Sequence, residues 1–224
     1  MTSLVERLSS AALGIAALAI AAVFVHREFI GKSSATSRLH ESARVSEWRD
    51  ALEAGRVVGD SGAPIKLIEF SDLECPFCRE FHAVTQRILT RYPEDVAVVF
   101  VHAPFTGHRF AAPAARAAEC AHAEGRFAAF VKSVFAKQDS LGLKSWVSFG
   151  RDAGITDTLL FAKCAAAVET VPIIERGLEV GRKFGITGTP TVFLNDWRFG
   201  TPPTESEVTS AVDSLRRLRS TQKK

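Results

Sequence analysis

Four cysteines, Cys75, Cys78, Cys120 and Cys164, are the residues of this chain most suited to chemistry. Two of them stand in Cys75-Pro76-Phe77-Cys78. In the first turn of a helix, that spacing lets two sulfurs close a small disulfide ring. It also points the first sulfur at free backbone N–H groups and at the positive end of the helix dipole. Such a setting favours the thiolate, so Cys75 is expected to be both a good nucleophile and a good leaving group. Pro76, early in the helix, needs no N–H partner and presets φ. Cys78, one turn deeper, is expected to be the buried resolving thiol. Half a zinc site has the same pattern, but structural zinc takes four ligands. Cys120 and Cys164 are single, and no close histidine pair exists, so neither metal nor cofactor is expected. A chance pair of core cysteines is the other alternative. The position of the pair just after a buried strand favours redox chemistry.

The elements that hold this pair follow from periodicity. Ile65 to Phe70 reads as a buried strand, and Ser71 to Glu74 as a turn. Pro76 to Arg91 carries apolar residues at helical spacing, and Val96 to Val101 is a second strand. Strand, helix, strand implies a parallel pair joined by a crossover. From about His108 to Gly185 the chain is helical in period, with breaks at Gly125, Leu141-Gly142, Gly154 and Pro172. Thr191 to Leu194 returns to β character, Asn195-Asp196 suits a tight hairpin turn, and Trp197 to Phe199 is the partner strand. Thr204 to Leu218 is an amphipathic helix with Thr204 as N-cap and Glu207 completing a capping box. Earlier, Ser46 to Ala54 reads as a short helix, capped by Ser46 and ended by Gly55. The fold class is therefore α/β, with β-α-β and β-β-α halves and a helical insertion (about 107–185) between them.

The 224 residues suffice for one sizeable domain and accessory segments. With 46% hydrophobic and 24% charged residues the composition is globular. A formal net charge of +3, spread along the chain, argues against a nucleic-acid partner. The amino terminus differs. Leu8 to Val25 carries no charge over about 18 residues, close to the roughly 20 that cross a bilayer. Residues 1–26 are read as a transmembrane anchor in preference to a cleaved signal segment, because the apolar run continues past Ala19-Ile20-Ala21. Residues 27–56 are read as a polar spacer with its short helix, and 57–220 as the catalytic domain. Arg27, Lys32 and Arg38 after the apolar run weigh slightly against export by the positive-inside rule. The short amino tail and the cysteine chemistry nevertheless favour a domain outside the cytoplasm, in the cell envelope.

The sequence resembles the DsbA-like branch of the thioredoxin superfamily. The likeness rests on Ile68-Glu69-Phe70-Ser71-Asp72-Leu73-Glu74-Cys75-Pro76-Phe77-Cys78 and on Gly185-Ile186-Thr187-Gly188-Thr189-Pro190-Thr191-Val192-Phe193. His108 to Cys120 matches the first inserted helix, and the resemblance runs from about Gly59 to Leu218. It implies a thioredoxin-like fold and a protein thiol–disulfide oxidoreductase, with protein thiols or disulfides as substrates and a membrane redox partner. It implies that Pro190 is cis beside Cys75, and that the backbone of Thr189 lies where an extended substrate can pair. It also implies that Glu69 is a buried acid moving the proton of Cys78. A strand glutamate facing outward is the alternative. Phe77 departs from the best-known oxidase pattern, where a histidine supports the thiolate, so a less acidic Cys75 is expected. In an exported protein Cys120 and Cys164 are expected to pair, closing a loop of roughly 45 residues worth about 4 kcal/mol on the chain-entropy account. Two buried free thiols are the alternative. Beside the oxidoreductase stand two other functions: a dedicated reductase serving cytochrome c or metal-site assembly, and a non-catalytic peptide-binding chaperone module. His108 is placed either near the active site or merely at a helix start.

Overall fold

Two buried strands, β3 (Ile65–Ser71) and β4 (Val96–His102), organise the molecule, and the computed structural model describes it over residues 42–222. The proposed anchor at 1–26 lies outside those residues. Among the described residues no helix is long and apolar enough to cross a membrane. β3 and β4 pair in parallel, Ile65 opposite Val96 and Ser71 opposite His102. The remaining strands are antiparallel to their neighbours, giving the order β1-β6-β5-β3-β4-β2, with β1 Ala43–Arg44, β2 Gly55–Val58, β5 Thr191–Leu194 and β6 Trp197–Arg198.

Strand residues alternate between the two faces of the sheet. Ile65, Leu67, Val96 and Val98 pack with Phe81 and Ile88 of α2 (Pro76–Arg91) and with Val208 and Val212 of α8 (Glu205–Gln222). Ile68, Phe70, Val99 and Val101 face the other way. They meet α1 (Asp50–Glu53) through Ala51 and α7 (Pro172–Lys183) through Val180. Helix α7 approaches β4 so closely that a Cβ on Gly177 would stand 2.5 Å from the His102 carbonyl oxygen. Between these halves lies the helical insertion: α3 Ala111–Ala123, α4 Phe127–Ala136, a 3-10 turn Gln138–Ser140, α5 Trp146–Asp152 and α6 Thr158–Ala165. Its breaks fall at Gly125, Gly142 and Gly154, each with positive φ, as a helix C-terminus that reverses direction requires. At α8, Glu207 N–H donates to the Thr204 hydroxyl and the Glu207 carboxylate accepts from Thr204 N–H, the expected capping box.

Two expectations need correction. Residues 46–54 are not one capped helix. Ser46 to Arg49 form turns closed by bonds three residues apart, and the helix is only Asp50–Glu53, without a side-chain cap. Residues 27–56 are not wholly spacer either. Ala43–Arg44 pairs with β6, and Gly55–Val58 pairs with β4, so the sheet starts before residue 57. Strand β2 also brings Arg56 to a buried cluster. Arg56 Nε donates to Glu119 at 3.0 Å, and His102 Nε2 lies 3.0 Å from the same carboxylate. Burial alone would raise the pKa of Glu119; the bonds from His102 and Arg56 outweigh it and hold the group at about 2.

Cys120 of α3 and Cys164 of α6 are joined by a disulfide across a sequence separation of 44, with Cα atoms 5.9 Å apart. Replacing both by alanine should lower unfolding stability by about 4 kcal/mol in urea melts. An unchanged midpoint would show that this bridge contributes nothing to the fold.

Candidate active site

The strand β3 leads straight into the reactive turn. Cys75 is the N-cap of α2, with extended backbone (φ −72°, ψ 123°), and Pro76 opens the helix. The backbone N–H groups of Phe77 and Cys78 are thus free to face the Cys75 sulfur. Both cysteines are free thiols in this structure. The Cys75 thiol is lowered to about 5, first by a hydrogen bond from the Cys78 thiol, against a cost of burial. A bond from the Thr189 side chain and the N–H groups of Cys78 and Phe77 lower it further. The Cys78 thiol is pushed strongly upward by burial, by donating that same hydrogen bond and by Glu69. Its residue is 0% exposed, whereas Cys75 borders an open groove. Near neutral pH this favours one proton on the pair, held by Cys78.

Phe77 is 63% exposed, and its contribution to the lowered Cys75 thiol comes through its backbone N–H. The Thr189–Pro190 peptide bond is cis, and the Thr189 carbonyl oxygen lies 3.3 Å from Cys75 Sγ. A protonated thiol can donate that bond. Glu69, on the α2 face of β3, is 1% exposed and accepts a hydrogen bond from the Ser71 hydroxyl at 2.6 Å. Burial raises its pKa to about 8, the Ser71 bond opposes this, and the Cys75 charge adds to it. A cavity of about 20 Å³ borders Glu69, His82 and Thr85.

Several residues of this site carried no sequence signal of their own. Asp72 is fully buried and binds three donors: Glu74 N–H on Oδ1, and Phe105 N–H and His108 Nδ1 on Oδ2, the last at 2.8 Å. It ties the reactive turn to the loop after β4. Gln138 Nε2 donates to the carbonyls of Leu73 and Cys75, both at 2.9 Å. His82 Nε2 is buried with no hydrogen-bond partner among the described residues, and burial first, then Lys132, lowers its pKa to about 4. Beside Cys75 a groove of about 400 Å³ runs between this loop, α7 and the Thr187–Thr189 segment, and His108 forms part of its wall. The structure thus brings Cys75, Cys78, Glu69, Thr189 and Pro190 into one region, and places Cys120 and Cys164 in the insertion as a bonded pair. Among the described residues no cluster of side chains suits a metal ion.

The family described as thioredoxin (Thioredoxin_4) matches residues 51–214, and the chain belongs to it. A thioredoxin-like oxidoreductase from Silicibacter pomeroyi DSS-3 superposes with a TM-score of 0.65 at 26% identity, covering 75% of this chain and 98% of that one. Wolbachia pipientis alpha-DsbA1 does so at 0.64 and 25%, covering 76% and 94%. Oxidised BdbD from Bacillus subtilis, at 0.66 and 21% and covering 77% and 96%, shares the fold. These similarities place the chain with the DsbA-like thiol–disulfide oxidoreductases. Among curated proteins, the Na(+)/H(+) antiporter NhaA 1 of Mycobacterium sp. (strain KMS) is 29% identical over 169 residues, 73% of this chain. The chain spans only 27% of that protein's length.

A buried acid with a raised pKa stays protonated in the folded state where it would ionise in the unfolded one. It therefore costs stability as pH rises from about 4.5 through about 8. In the disulfide form Cys75 and Cys78 do not titrate and the Cys75 charge no longer adds to the raised pKa of Glu69, so Glu69→Gln should remove about 2 kcal/mol of the stability lost between roughly pH 5 and pH 8. Denaturant melts at both pH values check this; parallel losses in the two proteins would place the Glu69 carboxyl in contact with water.

Proposed function

We propose that this chain is a thiol–disulfide oxidoreductase of the cell envelope that exchanges disulfides with protein thiols through Cys75 and Cys78. The observation that carries the reading is the division of roles between the sulfurs: Cys75 at a helix N-terminus, lowered to about 5 and bordering a groove, and Cys78 buried and raised. A low-pKa thiol is a good leaving group, and a thiolate that is stable when reduced makes the disulfide form oxidising.

In the oxidising direction a substrate thiolate attacks Cys75 Sγ. A substrate–Cys75 disulfide forms, the Cys75–Cys78 bond breaks, and its electron pair leaves on Cys78. Glu69, protonated at neutral pH, supplies the proton that Cys78 takes up. A second substrate thiolate then attacks the substrate sulfur of the mixed disulfide and expels Cys75 as its thiolate. The substrate has lost two electrons and the protein has gained them. Run backwards, Glu69 as carboxylate takes the Cys78 proton and a substrate disulfide is reduced. Thr189 and cis-Pro190 flank Cys75, where an extended substrate backbone can lie along the Thr189 peptide.

The envelope reading is supported by the Cys120–Cys164 disulfide, since such bonds persist in oxidising compartments. The charge-free run Leu8 to Val25 would tether the domain to the membrane, near a membrane redox partner that restores the oxidised form. No ion transport is proposed, because the chain spans about a quarter of the antiporters it matches.

Cys75→Ser should abolish insulin reduction and oxidative refolding of a reduced test protein, while Cys78→Ser should accumulate substrates bonded to Cys75. Full activity in Cys75→Ser would end the proposal. The redox state of the pair, trapped by alkylation in intact cells, separates the directions. A mostly oxidised pair marks an oxidase and a mostly reduced pair a reductase. Holdase activity that survives loss of both cysteines, without redox activity in the wild type, would mark a peptide-binding module.

A further inference from the structure

Proton accounting in this reaction leaves one proton without a carrier. A dithiol substrate gives up two protons as it is oxidised. Cys78 takes one, but Cys75 ends as a thiolate at neutral pH and takes none. The incoming thiol must also ionise before it attacks, and an unperturbed thiol, with a pKa of about 8.5, is ionised only to a few per cent at neutral pH.

The groove beside Cys75 contains one side chain suited to that proton. Its wall is largely apolar, from Phe105, Leu178 and Ile186, and its ionisable groups are Cys75, His108 and Arg182. Arginine keeps its proton throughout, whereas an imidazole exchanges one near neutrality. His108 is also oriented for this task. Its Nδ1 lies 2.8 Å from Asp72 Oδ2, and Asp72 is fixed by two backbone N–H groups and has no exposed side-chain surface. A nitrogen bonded to a buried carboxylate keeps its proton, so Nε2 is the basic atom. The Phe105 ring packs edge-on against the imidazole at 5.3 Å between centroids. The side chain remains 29% exposed and open to a ligand in the groove.

We propose that His108, oriented by Asp72, is a catalytic residue that accepts the proton of the incoming substrate thiol through Nε2. This rests on the oxidoreductase reading above. The attacking S–H transfers its proton to His108, its sulfur bonds to Cys75, and Cys78 departs and takes the proton of Glu69. When the second substrate sulfur closes the substrate disulfide, Cys75 is released as a thiolate opposite the imidazolium. Cys78 then holds the proton that came from Glu69, His108 holds that of the first substrate thiol, and the proton of the second substrate thiol restores Glu69; both electrons reside on the two cysteines. In the reverse reaction His108 returns its proton to the leaving substrate thiolate. The charges facing His108 agree with this cycle. Burial lowers its pKa, but Asp72, then Glu74 and Cys75 from the reactive turn, outweigh that and raise it, while Arg182 of α7 shares the groove. The Cys75 contribution exists only in the reduced protein. The disulfide form therefore carries the readier proton acceptor, and reduction locks the proton in place.

Two measurements test this. Imidazole titration by NMR on the wild type, in both redox states, should show His108 titrating higher in the reduced protein; the same midpoint in both states overturns the proposal. Stopped-flow oxidation of dithiothreitol by the disulfide form should then be compared with His108→Gln across pH. The variant should be slower by about tenfold near pH 6 and approach the wild type as the thiol ionises by itself. A variant profile that parallels the wild type at every pH overturns it as well. If the wild-type disulfide does not oxidise dithiothreitol at all, the oxidoreductase reading fails instead.

Discussion

The unequal setting of two cysteine sulfurs, one at a helix N-terminus beside a groove and one buried a turn deeper, favours a charge on one and a proton on the other, and the rest of the site exists to keep that arrangement unequal. On the Cys75 side stand the open N–H groups of the first helical turn and the Thr189 side chain. On the Cys78 side stand burial and the Glu69 carboxyl. Neither set suffices alone. Helix-end N–H groups stabilise any anion within reach, and burial disfavours every thiolate. Only their separation, within one turn of one helix, makes one sulfur a leaving group and its neighbour a proton store.

Sheet register makes that separation possible. Alternation along β3 turns Glu69 toward α2, together with Leu67, while Ile68 and Phe70 pack against α1 and α7. Where β3 ends, Asp72 gathers donors from Glu74, Phe105 and His108 and so fixes the reactive turn to the loop after β4. Gln138, from the insertion, holds the same turn by the carbonyls of Leu73 and Cys75. The insertion thereby braces the turn from one side, and its own helices α3 and α6 are cross-linked by Cys120–Cys164. Helix α7 reaches β4 because Gly177 has no side chain, and the groove beside Cys75 lies along it.

Much of this was legible in the sequence because its signals are local. Cys75-Pro76-Phe77-Cys78 announces a helix start by its proline and its spacing, and Asn195-Asp196 announces a hairpin, with Asn195 at φ 52°. The breaks at Gly125, Gly142 and Gly154 were equally plain, since positive φ selects glycine. Strands β1 and β2 were missed because they are short and owe their conformation to partners far along the chain: Trp197–Arg198 for one and β4 for the other. Asp72 and His108 stand 36 positions apart, and nothing about either residue alone marks them as bonded. His82 and Gln138 are likewise ordinary helical polar residues until packing buries their nitrogens. At Phe77 the side chain is exposed, and the residue acts on Cys75 through its backbone N–H.

Alkylation of the fully reduced protein between about pH 4 and pH 9, with each cysteine followed by mass mapping, tests the inequality of the two sulfurs most directly. Cys75 should react with a midpoint near pH 5, and Cys78 should remain unmodified across the range until the protein is unfolded. Midpoints for both near the roughly 8.5 of a free thiol, or modification of Cys78 ahead of Cys75, would contradict the account.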